Sequence, residues 1–267
     1  MNALPRVLGG VERCLQDFIA GLPQGLGEGM YYALFPAGKR LRPAVMMRLG
    51  QALGVPVDKL LAGAAAVEMI HGYSLVHDDL PELDGDLLRR GRPSVHVAFG
   101  HAQALLIGDA LHSGAFQVLG QDAALQDHER CAVVHELATA ALGMVAGQHQ
   151  ELSLSARFSE ENLLEIYRGK TGALFGACWA IPAILADVAE LVEPCRRHGV
   201  GFGVAFQLLD DLQDLHDDRQ KGMRSHPIAH GEEATRALLH DVLHEISQFL
   251  ADHELPGVLD DLLGLIV

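Results

Sequence analysis

The chain has 267 residues, 49% of them apolar and 5% aromatic, with a formal charge of −15. That balance favours packed helices over sheets, which draw on β-branched and aromatic side chains. The charge excludes nucleic acid as a main partner, yet it leaves room for a phosphorylated small molecule where a divalent cation reverses the local field.

The opening residues, MNALPRVLGGVERCLQDF, lack the charged start and apolar run of a signal peptide. No stretch of about 18 uninterrupted apolar residues occurs, so no membrane span is expected. Apolar residues at three-to-four spacing predict helices over 45–53, 60–77, 102–120, 131–147, 160–167, 174–185, 193–217 and 234–253. Gly and Pro mark joints at 36–38, 91–93, Pro182 and 222–227. Strand-like alternation and internal repeats are absent, and no linker is long enough to separate domains. One all-α domain over residues 1–267 is expected. Segments 60–75 and 174–185 are apolar around most of their circumference and belong in the middle of a bundle. Such a bundle can enclose an apolar tunnel with a polar mouth. Cys14, Cys131, Cys178 and Cys195 are scattered and form no CxxC pair, which reads as the reduced thiol set of a cytoplasmic protein. The fifteen histidines include no HExxH pair and read mostly as solvated helix residues.

Two acidic stretches lie about half a chain apart. The first, HDDLPELD (77–84), is followed by Arg89, Arg90 and Gly91. His71, Leu75 and Asp78 fall at i, i+4 and i+7, so His71 and Asp78 share a helix face. Asp84 would lie on a different face of a straight helix. Pro81 is ill suited to a helix interior, however, and a break there lets the chain bring Asp84 back beside Asp78. A solvated acidic helix end is the alternative. Against it stand the preference of acidic residues for helix N-termini and the arginines that follow. The second stretch, FQLLDDLQD (206–214), puts Gln207, Asp210, Asp211 and Asp214 on one helix face; a solvated face is its alternative. Carboxylates held close together repel unless a cation neutralises them. Mg²⁺ suits hard oxygen ligands and is usually held by a few carboxylates plus substrate phosphates, and an arginine pair suits a diphosphate. Together the stretches imply a metal-bridged diphosphate site. Lys39, Arg40 and Arg42 form a basic triplet in an acidic chain, and Gly169-Lys170-Thr171-Gly172 offers a cation and a hydroxyl without being a Walker loop.

These pieces, read in order as GKRLRP (38–43), EMIHGYSLVHDDLPELDGDLLRRGRP (68–93), GDAL (108–111), GMVAGQ (143–148), GKTGALF (169–175) and FQLLDDLQD (206–214), carry a resemblance. The chain resembles the trans-type polyprenyl diphosphate synthases, in particular their short-chain bacterial members that make farnesyl diphosphate. The resemblance implies an all-helical isoprenoid-synthase bundle around a deep central cavity, with the two Asp-rich motifs facing each other. It implies three Mg²⁺ ions, with Asp78, Asp84 and Asp210 as principal ligands and Asp79, Asp211 and Asp214 in support. Arg89, Lys170 and Gln207 would hold the allylic diphosphate, with Thr171 beside the forming cation. Lys39, Arg42, His71 and Arg90 would hold isopentenyl diphosphate.

By the same resemblance, Tyr73 is the floor that stops chain growth at farnesyl length; core packing is the other reading of it. A homodimer is implied, with 102–120 and 131–147 as a possible interface. After Asp214 the pattern decays. Gly222-Met223-Arg224-Ser225-His226-Pro227 stands in place of GKxTYP, with Met223 where lysine is expected, and about one loop's worth of residues is missing. Lys221 and Arg224 are the candidates to supply that cation. Glu151 stands where the family often has Asp, and the last residues, LLGLIV, include no basic group. The leading expectation is an active farnesyl diphosphate synthase. Alternatives are a geranyl or geranylgeranyl product, an irregular coupling, and a non-catalytic diphosphate-binding regulatory subunit. A class I terpene cyclase fits less well, because cyclisation does not use a second diphosphate set.

Overall fold

Helices form almost wherever the apolar spacing predicts them. A computed structural model describes residues 4–153, 159–221, 224–255 and 257–266. The chain divides into two compact units, Met1–Val134 and His135–Val267.

The first unit holds α1 (Leu4–Ala20), α2 (Gln24–Leu34), α3 (Leu41–Ala52), α4 (Val57–Asp78), α5 (Val95–Phe99) and α6 (His101–Gly120). Its centre is α4, packed against α6, α3 and α1. From Ala62 to Ile70 every residue of α4 is buried, with Glu68 the single charged one. The small side chains of Ala62, Ala64, Ala65 and Ala66 let neighbouring helices approach on all sides, so the helix carries no polar stripe. Between α4 and α5 a two-residue hairpin pairs β1 (Leu88–Arg89) with β2 (Arg92–Pro93). Its turn residues Arg90 and Gly91 both have positive φ, 54° and 76°, as the tight hairpin turn requires. The sequence offered no alternation over so short a ladder, and the hairpin is an addition to the all-helical expectation.

Helix α7 (Asp127–Ser153) begins in the first unit and carries the chain into the second. There follow α8 (Glu160–Tyr167), a π-helical turn (Arg168–Gly172), α9 (Ala173–Leu185) and α10 (Ala189–Gln213). The remaining helices are α11 (Leu215–Lys221), α12 (His226–His230), α13 (Glu232–Asp252) and α14 (Val258–Ile266). Ser159 and Asn162 form a reciprocal capping box at the start of α8. Packing of α9 on α10 supplies the core, with Phe175, Trp179 and Phe202 all fully enclosed. Pro182, expected to mark a joint, sits inside α9 instead; burial of the surrounding apolar residues outweighs the lost helical hydrogen bond. The expected helix over 193–217 is two helices, because α10 starts earlier, at Ala189, and ends where Asp214 caps it.

Helix α7 has the length and apolar content of a membrane span. It also carries Glu136, 4% exposed, whose two carboxylate oxygens accept from Arg196 at 2.9 and 2.7 Å. This ion pair, with Arg196 partly exposed, ties α7 to α10 within the second unit. All four cysteines are free thiols, and burial pushes Cys195 up to about 11, leaving it an unreactive core thiol.

Candidate active site

In the first unit, the end of α4 builds the acidic set. The helix stops at Asp78, and the segment through Pro81 turns back so that the Asp84 amide donates to the Asp78 carbonyl at 2.9 Å. The break at Pro81 therefore brings Asp84 beside Asp78, as the sequence predicts. Asp79 faces the other way. It is 2% exposed and accepts from Arg89 Nε at 3.0 Å and from Arg89 Nη2, which also donates to Asp86 at 2.9 Å. Burial raises the Asp79 carboxyl above the ordinary carboxylate range, with the Arg89 hydrogen bonds pulling against it. Burial also opposes the Arg89 charge, but its contacts with Asp79 outweigh this and raise its pKa. The hairpin thus presents Arg89 inward onto Asp79, with Arg90 beside it.

The basic residues converge on His71. Burial, followed by the charges of Arg42, Arg90, Arg40 and Arg89, holds His71 well below its ordinary range, so it is neutral at pH 7. Arg90 packs onto Gly38, where an added Cβ would meet its guanidinium at 3.1 Å. Arg40 is set differently from its neighbours Lys39 and Arg42. It is 5% exposed, has φ of 49°, and donates to Glu68 Oε1 at 2.6 Å and to the Leu34 carbonyl at 2.9 Å. A left-handed arginine is a strained placement that needs support from its surroundings, and this buried ion pair with α4 provides it. The sequence reading placed Lys39 and Arg42, and not Arg40, in the diphosphate set, but it gave Arg40 no role of its own. Its signal was the acid Glu68 at the head of the next quoted run, inside an otherwise apolar stretch of α4.

Tyr73, 8% exposed, lies five residues before Asp78. Its ring meets those of His112 at 4.9 Å and His77 at 5.6 Å, both edge-on. Gly108 of the GDAL run makes this possible, since a Cβ there would collide with the His77 ring at 2.1 Å.

In the second unit, glycines bring three helical segments to backbone contact. A Cβ on Gly147 would meet the Lys170 amide nitrogen at 2.4 Å, and one on Gly203 would meet Gly172 Cα at 2.6 Å. These contacts explain the glycines of GMVAGQ and GKTG: only a residue without a side chain fits. The π-helical turn between α8 and α9 carries Lys170 and Thr171, in keeping with the frequent placement of such turns at functional sites. Lys170 Nζ donates to Glu151 Oε2 at 2.7 Å.

On α10, Asp210 and Asp214 are exposed, while Asp211 is 6% exposed and committed to protein partners. Asp211 Oδ1 accepts from the Gln207 amide at 2.9 Å, and Gln207 Oε1 accepts from Thr171 at 3.0 Å. Asp211 Oδ2 accepts from the Tyr167 hydroxyl and from the His226 backbone N–H at 3.2 Å. Burial, then the neighbouring Asp211 charge, raises the Tyr167 phenol far above its ordinary range, so it stays protonated and donates. Tyr167 and His226 are site residues that sequence reading missed; the signal was Tyr167's place three residues ahead of Lys170. A cavity of about 270 Å³ is lined by Lys170, Gln207, Asp210 and Asp214 together with Arg224 and Ser225. Of the two candidates for the missing cation, the Lys221 side chain lies outside the described residues, as do Gly222 and Met223.

Among the described residues, no three His, Cys, Asp or Glu side chains form a compact metal cage. The donors present fit Mg²⁺ in another way. Asp210 and Asp214 stand one helical turn apart at a cavity that also holds Lys170, and Mg²⁺ is ordinarily held by one or two carboxylates plus substrate phosphates.

The sequence model of polyprenyl synthetase matches residues 23–226. The farnesyl diphosphate synthase of Escherichia coli K12 is 38% identical over 261 residues, covering 90% of this chain and 87% of that one. The geranylgeranyl pyrophosphate synthase of Geoglobus acetivorans is 38% identical over 197 residues, covering 72% of this chain and 60% of that one. The crystal structure of a geranyltranstransferase from Thermotoga maritima superposes with a TM-score of 0.88 at 30% identity, covering 99% of this chain and 97% of the other.

Proposed function

The chain belongs to the polyprenyl synthetase family, and from that premise we propose that it is a short-chain trans-prenyltransferase that condenses isopentenyl diphosphate head-to-tail with dimethylallyl or geranyl diphosphate to give farnesyl diphosphate. The observation that carries this reading is the placement of Arg42 and Arg90 beside a neutral His71, with Arg90 seated on Gly38. The first unit thus offers its own cations for a diphosphate and the second offers Lys170, and head-to-tail condensation uses two diphosphates where ionisation of one substrate uses one. Passage of the family match through both compact units supports treating residues 1–267 as one catalytic domain.

Lys39, Arg42, His71 and Arg90 bind isopentenyl diphosphate in this reading. Arg89, Lys170 and Gln207 bind the allylic diphosphate, and Thr171 lies beside the developing cation. Asp78, Asp84 and Asp210 are the principal Mg²⁺ ligands, with Asp214, Asp79 and Asp211 in support; the last two act from within their protein contacts. Mg²⁺, when bound, stabilises negative charge on the departing diphosphate. Lys170 and Arg89 then hold that diphosphate in place while the double bond of isopentenyl diphosphate attacks the allylic carbon. The proton that leaves goes to the released diphosphate. Tyr73, braced by His112 and His77, sets product length. The reaction is placed in the cytoplasm, in keeping with the scattered thiols. A homodimer is part of the proposal, supported by exposed Leu105 and Leu106 on α6 and Leu142 and Val145 on α7. Light scattering at the 28.7 kDa monomer mass would argue against that.

Purified protein supplied with isopentenyl diphosphate and dimethylallyl, geranyl or farnesyl diphosphate, with and without Mg²⁺, tests the reading by mass spectrometry of the products. Mg²⁺-dependent farnesyl product is expected. A geranylgeranyl product would favour the second reading, which the Geoglobus relative supports at equal identity. No product with any primer would overturn both.

A further inference from the structure

The segment between α2 and α3 carries Lys39, yet residues 35–40 form neither helix nor strand. Such a segment depends on side chains from its neighbours, and here they come from the β1–β2 hairpin. Arg92 of β2 reaches the end of α2. Its Nη2 donates to the Tyr32 carbonyl and, at 2.5 Å, to the Phe35 carbonyl. The last carbonyls of a helix have no intrahelical donor, and a cation there also suits the negative end of the helix dipole. The guanidinium lies over the Tyr32 ring, its carbon 3.9 Å from the ring centroid, in a cation–π contact. Tyr32 grips the hairpin in return. Its hydroxyl donates to the Pro93 carbonyl at 2.8 Å, and its ring meets Phe99 edge-on at 5.1 Å. Arg90, at the hairpin turn, adds a longer bond to the Pro36 carbonyl at 3.4 Å. The other strand of the hairpin has a separate anchor: Arg89, the ladder partner of Arg92, holds Asp79 at the end of α4.

We propose that Arg92 is a positioning residue. It clamps the hairpin to the end of α2 and so fixes the path of the segment that leads to Lys39, next to the Gly38 on which Arg90 packs. Its own guanidinium is engaged by two carbonyls and a ring, so it acts through Lys39 and Arg90 rather than on a substrate. The inference rests on the prenyltransferase reading for the ligand, isopentenyl diphosphate, and on the hydrogen bonds for the clamp itself. Lysine is a poor replacement, since its single nitrogen has no planar face to lay on Tyr32. Binding groups on an irregular segment are only as precise as the residues that support them. Because Asp79 holds Arg89 independently, loss of Arg92 should loosen the isopentenyl side and spare the allylic side.

Steady-state kinetics of Arg92 variants, with hydrogen exchange of the backbone over 37–41, test this together. Arg92→Ala should raise the KM for isopentenyl diphosphate about fivefold to tenfold and change the KM for the allylic diphosphate by less than about twofold. Amides in 37–41 should exchange about tenfold faster, while those of 62–70 in α4 keep their wild-type rates. Arg92→Lys should recover only part of each effect. Tyr32→Phe, which keeps the ring and loses the bond to Pro93, should move both readouts in the same direction by less. Equal rises in the two KM values would overturn the selective role. A lower melting temperature with both KM values unchanged would reduce Arg92 to a helix cap and overturn it as well. Unchanged exchange over 37–41 in Arg92→Ala would overturn the clamp. Should the wild-type protein turn over no primer while Arg92→Ala still speeds exchange over 37–41, the prenyl reading would fall and the clamp would stand.

Discussion

The acidic set that ends α4 and the one on α10 offer similar carboxylates from opposite kinds of scaffold. The first depends on a broken helix: a turn through Pro81 returns Asp84 to the Asp78 carbonyl, and a charged hairpin arginine holds the buried Asp79. The second depends on an unbroken helix, with uncharged donors, the Tyr167 hydroxyl, the Gln207 amide and a backbone N–H, around the buried Asp211. In each, the second aspartate of the pair points inward and fixes a residue proposed to bind the diphosphate, Arg89 in one and Gln207 in the other. Ion pairing and neutral hydrogen bonding reach the same arrangement. They differ in what disrupts them, since the loss of one member of a buried charge pair leaves the other uncompensated.

The largest effect expected is on turnover. Asp78→Ala and Asp210→Ala should each lower kcat by about a thousandfold, because several kcal/mol of transition-state charge stabilisation depends on the metal they help hold. Equal losses in the two variants, measured at saturating substrate, would show that both scaffolds serve the same step, whereas a loss confined to one would break the comparison. Next comes stability. Glu68→Ala strands the buried Arg40 guanidinium and should cost about 3–5 kcal/mol in urea denaturation, while Tyr167→Phe, which removes a neutral donor, should cost about 1–3 kcal/mol. A reversed order would sink the distinction between charged and neutral support. Asp79→Asn should raise the KM for the allylic primer about tenfold through a loosened Arg89. Tyr73→Ala should lengthen the product, read by mass spectrometry, with an unchanged product assigning Tyr73 to packing alone.

The smallest effect concerns pH. The His71 pKa is lowered on folding, so the unfolded chain binds this proton more readily than the folded one. Stability from this group is therefore complete above the ordinary histidine range and falls as pH drops below about 6.5. His71→Asn should flatten the melting temperature between pH 7 and pH 5, and an unchanged acid-side slope would remove His71 from the account.

Sequence periodicity carried the helices well where a helix was long and its apolar residues regular, as in α4, α6 and α8. It missed α1 and α2, where glycines at 9, 10, 25, 27 and 29 interrupt the signal, and it misread Pro182, because the apolar environment of α9 is a tertiary property. The break at Pro81 was legible, since proline's lack of an N–H is a local fact. The inward turn of Arg40, the bond from Tyr167 to Asp211 and the placement of Arg224 and Ser225 were not. Each depends on a partner more than 25 residues away, or on a cavity that several segments line.

The five-residue π-helical turn at Arg168–Gly172 sets a rule for insertions and deletions in this part of the chain. Consecutive α-helical side chains diverge by about 100°, yet Lys170 and Thr171 both line the cavity. A wider turn accommodates one residue more than an α-helix would between the same flanks. Removing a single residue here would let α8 run into α9 as ordinary helix, with the bundle intact and one of the two side chains turned away. In related chains, the length of this stretch should therefore be held constant even where its neighbours vary, and a one-residue deletion should yield a folded protein that has lost its chemistry.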